Sequence, residues 1–232
     1  MTNYKTVSIL VQARSTSHRF PGKIFEKIGN KSILDHVLDA CYNSASYINK
    51  YSSRNRIVCE VAVVAPTGDQ LIQKYSKHLI IEGPEDDVLS RYIIAMNRLN
   101  SDYVVRITAD CPFIPPYIMS KMISISVQDS LDYLSNANPR HRTSPDGHDI
   151  QVLSSRALKW LDENVKDASD REHVASYLDR NINPEFKMAN VIGFADYSKL
   201  KFSIDTRQDL DQMTEMYNKI YQSVNSGKTY RL

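Results

Sequence analysis

The order of segments predicts an α/β fold with a mainly parallel sheet. Short apolar runs alternate with amphipathic stretches through about the first 130 residues, the pattern of strands joined by crossover helices. Beyond about residue 130 the alternation gives way to a turn-rich loop and a mixed α+β pattern. No stretch approaches the roughly 18 apolar residues of a membrane span.

The elements follow in order. Thr6–Val11 reads as a buried strand, and the polar, basic stretch Gln12–Lys23 with its Pro21-Gly22 turn reads as a loop. Ser32 caps a helix with Asp35 three residues on and an apolar face of Ile33, Leu34, Val37, Leu38 and Cys41. Ile57–Ala65 is a second strand, followed by a short helix through Leu71, Ile72 and Tyr75, and Leu79–Ile81 is a third strand. After the Gly83-Pro84 turn, Glu85, Asp86 and Asp87 open a helix whose core face is Val88, Leu89, Tyr92, Met96 and Leu99. Tyr103–Ile107 is a fourth strand. Residues 136–147 form the turn-rich loop, Ile150–Leu153 a strand and Arg156–Asn164 a helix. Asp170 is expected to cap a helix carrying Val174, Tyr177 and Leu178. Phe186–Ile192 and Leu200–Ile204 read as strands. Thr206 with Asp209 forms a capping box for a last helix along Leu210, Met213, Tyr217 and Ile220.

Composition narrows the function classes. The chain has 232 residues, 42% hydrophobic and 24% charged, which suits a single domain with an ordinary core. A net charge of +2 supplies no field for nucleic acid. The three cysteines, Cys41, Cys59 and Cys111, have neither disulfide nor zinc spacing and suit a reducing cytoplasm. The N-terminal apolar run is too short for a signal peptide. His18, His36, His78 and His141 have no metal-like spacing.

In a parallel α/β sheet, ligands gather beyond the C-terminal strand ends. Three unusual segments stand there. The first places Arg14, Arg19 and Lys23 among Ser15, Thr16, Ser17 and a Pro-Gly turn, a composition that suits a polyphosphate. It is neither a Walker motif nor a dinucleotide fingerprint, and a solvated basic loop has the same composition. The other two are Asp110 and Asp205, each following an apolar run. They either share a hard cation with substrate phosphates or cap the turns that follow.

Taken together, the segments resemble the cytidylyltransferases. The stretch Ala13-Arg14-Ser15-Thr16-Ser17-His18-Arg19-Phe20-Pro21-Gly22-Lys23 is similar to that family's signature loop, found in the synthetases for CMP-activated octulosonic and sialic acids. GPEDDVLSRY (83–92), VVRITADCPFI (104–114), PDGHDIQV (145–152), REHV (171–174) and SIDTRQDL (203–210) are similar to the spore-coat polysaccharide branch. The motifs occur in the family's order along nearly the whole chain. Two positions depart from its pattern: Ala109 stands where a glycine is usual, and His148 where an aliphatic residue is usual.

The resemblance implies a glycosyltransferase-A-like, Rossmann-like sheet flanked by helices. It implies a nucleotide-binding half over about 1–130, an acceptor and dimerisation region over about 131–200, and a return to the core over 201–232. It further implies Mg²⁺-dependent transfer of CMP from CTP to an acidic sugar-like acceptor, in a homodimer. Arg14, Ser17 and Lys23 would hold the phosphates and Asp110 and Asp205 the metal, with Ala13, Arg19, Asp87, Arg106 and Thr108 completing the nucleotide site. Arg14 and Lys23 would stabilise the leaving pyrophosphate. The acceptor residues are expected to be Asp146, His148, Asp149 and Gln151, with Arg171, Glu172 and His173 opening a helix that favours anions. His173 is a candidate proton acceptor and also reads as part of a surface ion cluster. Two other functions use the same residues: a sugar-phosphate nucleotidyltransferase with a diphosphate-linked product, and a non-catalytic nucleotide-binding regulator.

Overall fold

The computed structural model describes residues 4–51, 56–75, 77–181 and 183–225. Strand β1 (Lys5–Gln12) is buried through its centre. The loop after it ends in a 3-10 turn at Lys23–Phe25 and then a small hairpin of β2 (Lys27–Ile28) and β3 (Lys31–Ser32) that the sequence did not suggest. Helix α1 (Ile33–Tyr51) starts as expected: the Asp35 amide donates to Ser32 Oγ at 3.0 Å. Strand β4 (Ile57–Pro66), helix α2 (Gln70–Gln73) and strand β5 (Ile80–Gly83) follow. Helix α3 (Val88–Arg98) begins after the acidic run, with Asp87 as its cap accepting from the Ser90 amide at 3.0 Å. Strand β6 (Tyr103–Thr108) comes next.

The second half departs further from the sequence reading. Helix α4 (Pro116–Gln128) and strand β7 (Tyr133–Ser135) were not anticipated. Strand β8 (Gln151–Ser154) and helix α5 (Ser155–Asn164) were. The helix expected to run from Asp170 through Leu178 is two helices, α6 (Ala168–His173) and α7 (Ser176–Arg180). Asp167, not Asp170, caps the first of them, by accepting from the Asp170 amide at 3.1 Å. The break falls at Val174, whose φ of 59° ends the helical path. Strand β9 (Met188–Asn190) covers only the middle of the predicted run 186–192. The predicted strand over 200–204 reduces to an isolated bridge between Lys201 and Asp146, because no sheet edge lies alongside. Helix α8 (Arg207–Asn225) has its capping box: Asp209 Oδ2 accepts the Thr206 amide at 2.8 Å, and the Asp209 amide donates to Thr206 Oγ1 at 3.2 Å. Ile220, predicted to face the core, is exposed.

Seven strands form one sheet in the order β5-β4-β1-β6-β8-β7-β9. The four strands β5, β4, β1 and β6 run parallel, and β8 turns antiparallel against both β6 and β7. This is the mixed, mainly parallel α/β sheet the alternation predicts. Helices α1 and α4 bury Leu34, Val37, Leu38, Met119 and Ile123 on one face. Helices α3, α5 and α7 bury Val88, Leu89, Tyr92, Leu158 and Leu178 on the other. A third, smaller core joins α8 to the hairpin through Ile28, Ile33, Ile204, Leu210 and Met213.

The strand order sets the site. From β1 the chain winds outward to β4 and β5, then crosses back to β6 on the other side of β1. The reversal opens a crevice beyond the C-terminal ends of β1 and β6, where Gln12 pairs with Thr108.

Candidate active site

Each edge of this crevice is one of the segments the sequence singled out. The loop after β1 folds back on itself, with the Gly22 amide donating to Ser15 O at 2.9 Å. It thereby swings Lys23 inward. Lys23 is buried, and its Nζ donates to Asp110 Oδ2 at 2.7 Å, to Ile204 O at 2.6 Å and to Asp205 Oδ1 at 3.3 Å. Asp110 follows β6, and its carbonyl accepts the Ile204 amide at 3.0 Å, which anchors the 203–205 segment beside it. One ammonium thus joins the three segments.

Asp205 also meets Arg19 at 2.8 Å and Lys201 at 3.2 Å. Burial would raise its carboxyl, but Lys23 and Lys201 outweigh burial and hold it below the usual carboxylate range. Arg14 reaches only an exposed contact with Glu172 at 3.5 Å. With Ser17, Lys23, Thr108 and Asp110 it lines a cleft of about 80 Å³. Ala13 is buried, its amide donating to Val64 O at 3.0 Å.

A larger cleft of about 320 Å³ adjoins this one and shares Thr108 and Asp110 with it. Asp146, Asp149, Gln151 and His173 line it, and so does Arg106. Gln151 is the hub of the wall: its Oε1 accepts from Arg106 Nη1 at 3.0 Å, and its Nε2 donates to Tyr133 OH at 2.9 Å and Asp179 Oδ2 at 3.1 Å. Burial pushes the Asp149 and Asp179 carboxyls up, against the pull of Arg142 on the first and of Tyr133 on the second. Arg142 holds Asp149 at 2.5 Å and Asp146 at 3.6 Å. Gly147 seats the loop: its φ is 95°, and a Cβ there would stand 2.5 Å from the Ser203 amide nitrogen. Only glycine lets the backbone come this close, and Ser203 Oγ then donates to Asp146 Oδ2 at 2.6 Å.

Several expected site residues are placed differently, although His173 still lines the larger cleft. Arg171, Glu172 and His173 close helix α6 instead of opening one, so no free amides stand there for an anion. Arg171 is spent on ion pairs with Asp87 and Asp162, both at 2.8 Å, which also turns Asp87 towards α6. His148 packs on Phe202 with ring centroids 5.1 Å apart, outside the cleft lining. The sequence reading missed Asp179, Ser176, Ser203, Arg142 and Lys201. Asp179 carried no signal, being one acidic residue in a helical stretch, whereas Ser203 opens a motif already singled out and Lys201 stands two residues before it.

The carboxylates of Asp110 and Asp205 fit a hard cation. Both already converge on one cationic point, Lys23 Nζ, and Mg²⁺ takes one or two carboxylates with phosphate oxygens filling the rest. Among the described residues no cluster of three or more His, Cys, Asp or Glu could hold a metal by itself, so the phosphates would be required.

The profile of the family described as Cytidylyltransferase matches residues 8–227. The chain belongs to the cytidylyltransferase family. It is a nucleotidyltransferase, and its resemblance at the six motifs is thereby accounted for. The spore coat polysaccharide biosynthesis protein SpsF of Bacillus subtilis is 24% identical over 221 residues, covering 92% of this chain and 87% of that one. A cytidylyltransferase structure from Leptospira borgpetersenii is 25% identical, with a TM-score of 0.77, covering 99% of this chain and 100% of that one. The fold also matches CMP:2-keto-3-deoxy-manno-octonic acid synthetase complexed with CTP, at a TM-score of 0.67 and 15% identity, over 93% of this cytidylyltransferase and 99% of that chain. Among the described residues no helix is long and apolar enough to cross a membrane.

Proposed function

We propose that this cytidylyltransferase transfers CMP from CTP to a hydroxyl of an acidic, sugar-like acceptor, releasing pyrophosphate. The observation that carries the reading is the junction at Lys23, where the phosphate loop, Asp110 and Asp205 meet between the two clefts. Residues of the smaller cleft, Arg14, Ser17 and Lys23, bind the triphosphate by charge and hydrogen bonds. The larger cleft takes the acceptor. Arg106 faces its acid group, and Asp146, Asp149 and Asp179 accept from its hydroxyls. Mg²⁺ held by Asp110 and Asp205 would neutralise phosphate charge in the transition state. The acceptor oxygen bonds to the α-phosphorus as the bond to the β-phosphate oxygen breaks. Positioning and charge neutralisation account for most of the rate in such transfers. Arg14 stabilises the departing pyrophosphate, and His173, at the cleft wall, is within the set that can take the acceptor proton. Three buried thiols suit a reducing cytoplasm. The exposed apolar side chains Ile192, Phe194, Tyr197 and Leu200 offer a face for a homodimer.

A thermal-shift titration with CTP, UTP, ATP and GTP, with and without Mg²⁺, tests the donor. The expected result is a rise in melting temperature selective for CTP and enlarged by Mg²⁺. Equal shifts with all four, or none, would overturn the assignment. Pyrophosphate release across a panel of keto-sugar acids and sugar phosphates, with the product weighed by mass spectrometry, separates a monophosphate linkage from a diphosphate one.

A further inference from the structure

The wall of the larger cleft holds one cation and one anion that lack a direct ion pair. Asp110, Asp146, Asp149, Asp179 and Asp205 line this cleft. Four of them have a lysine or arginine beside them: Lys23 meets Asp110 and Asp205, and Arg142 meets Asp149 and Asp146. Asp179 has none among the described residues. Its carboxylate accepts from two neutral donors, Tyr133 OH at 2.7 Å on Oδ1 and Gln151 Nε2 at 3.1 Å on Oδ2. The neighbouring Arg180 turns to Asp170 instead, and it and Arg106 reach Asp179 only at longer range. Arg106 likewise has no carboxylate partner among the described residues. Its Nη1 donates to Gln151 Oε1 at 3.0 Å, and its Nε is buried without an acceptor.

The separation is built into the fold. Arg106 and Gln151 face each other in register across β6 and β8, and Asp179 comes in from α7. One side-chain amide sorts the two charges, its carbonyl end to the guanidinium and its NH2 end to the carboxylate. A direct pair between Arg106 and Asp179 would cancel both charges, and Gln151 keeps them apart. Partly buried charges without a direct counter-ion are unfavourable in the empty protein. The Asp179 carboxylate also keeps acceptor capacity open, since a carboxylate can accept about four hydrogen bonds. A ligand with an anionic and a cationic group answers both charges together. A ligand with hydroxyls alone fills the open hydrogen bonds and leaves Asp179 without a cation.

We propose that the acceptor is a zwitterion, an amino-substituted sugar acid whose carboxylate meets Arg106 and whose ammonium meets Asp179 in place of a hydroxyl. The inference rests on the larger cleft being the acceptor site. It narrows the acidic acceptor to one that also carries a basic nitrogen.

The test is pyrophosphate release by the full chain, with CTP and Mg²⁺, across matched keto-sugar acids. Each acid is supplied as the parent polyol, with a free amine replacing each hydroxyl in turn, and with that amine acetylated. The wild type should favour the best free amine over its parent by about tenfold in kcat/KM, the increment by which a charge-assisted hydrogen bond exceeds a neutral one. The acetylated form has lost the charge and should fall to the parent's level or below. The ratio of amine to parent, taken at each pH, should fade as pH rises through the amine's own pKa. Asp179→Asn keeps the shape and should lose most of the preference, while binding CTP within about twofold of the wild type in calorimetric titration. A parent or acetylated acid used as well as every free amine would overturn the proposal, as would a preference that survives Asp179→Asn or high pH. Should Asp179→Asn not fold, the wild-type ratios decide alone. Preference for the parent acids overturns only the zwitterion, whereas a wild type that binds CTP but turns over none of the panel overturns the acceptor reading beneath it.

Discussion

Lys23 carries two burdens at once: it pairs with Asp110 and Asp205, and it lines the smaller cleft. Lys23→Met leaves the two carboxylates without the cation they share, and Asp110 without its ion pair, while Asp205 keeps Arg19 and Lys201. Pyrophosphate release should fall by about 100-fold or more, the usual effect of removing a group that stabilises transition-state charge. Circular dichroism should show a folded chain with a lowered melting temperature. Asp209 offers a cleaner reading of charge and stability. Burial would raise its carboxyl, but Lys201 and the amides of Asp205 and Thr206 prevail and hold it at about 2, against an ordinary 3.8. A depressed folded value stabilises the native state fully above about pH 4 and loses that effect as pH falls through about 2. Asp209→Asn should therefore cost about 2 kcal/mol at neutral pH, and the difference from the wild type should shrink from about pH 4 downwards and close only below about pH 2 in acid unfolding curves.

At the level of elements, the crossing of residues 145–147 against 202–203 is the joint to break. Gly147→Ala meets both a positive φ and a backbone nitrogen 2.5 Å away. It should cost more than about 2 kcal/mol in urea unfolding. It should also slow turnover, because Asp146 would lose its bond from Ser203. The elements themselves were legible in unequal measure. Strands β1, β4 and β6 and helices α1, α3 and α8 were plain, because a buried parallel strand is a continuous apolar run and the helix starts carry Ser32, Asp87 and Thr206 where a cap belongs. Helix α4 was not, since its apolar residues alternate with serines in the sequence SKMISIS. The break at Val174 was hidden as well: a buried valine in a left-handed conformation is set by tertiary packing, against its own preference. The site followed the same rule. Arg14, Lys23 and Asp110 lie in the segments that follow β1 and β6, and Asp205 follows a short apolar run, so all four stood out in the sequence, whereas the diversion of Arg171 to Asp87 and Asp162 depends on partners far away in sequence.

For the molecule as a whole, the reversal of strand order at β1 and β6 is what makes one crevice out of distant segments. The parallel half alone would leave the larger cleft without a wall. Antiparallel β8 supplies it, because it lies against β6 and carries Gln151, which orders Arg106 and Asp179. Gln151→Leu should therefore raise the KM for the acceptor by about tenfold, the scale of losing one hydrogen-bonded positioning contact, with little change in the affinity for CTP. An equal loss for both substrates in steady-state kinetics would count against a division of labour between the two clefts.

The bond from Lys23 to the carbonyl of Ile204 joins residues 181 positions apart in the sequence. During synthesis the ribosome delivers the loop after β1 well before the 203–205 segment. Domains tend to fold from the N-terminus as they emerge, so β1, β4, β5 and β6 can pair while Lys23 still lacks two of its three acceptors. The nascent chain can thus build most of its sheet while remaining catalytically silent. The junction at Lys23 is complete only once the 203–205 segment joins it, so a chain cut before residue 203 should release no pyrophosphate in the assay above.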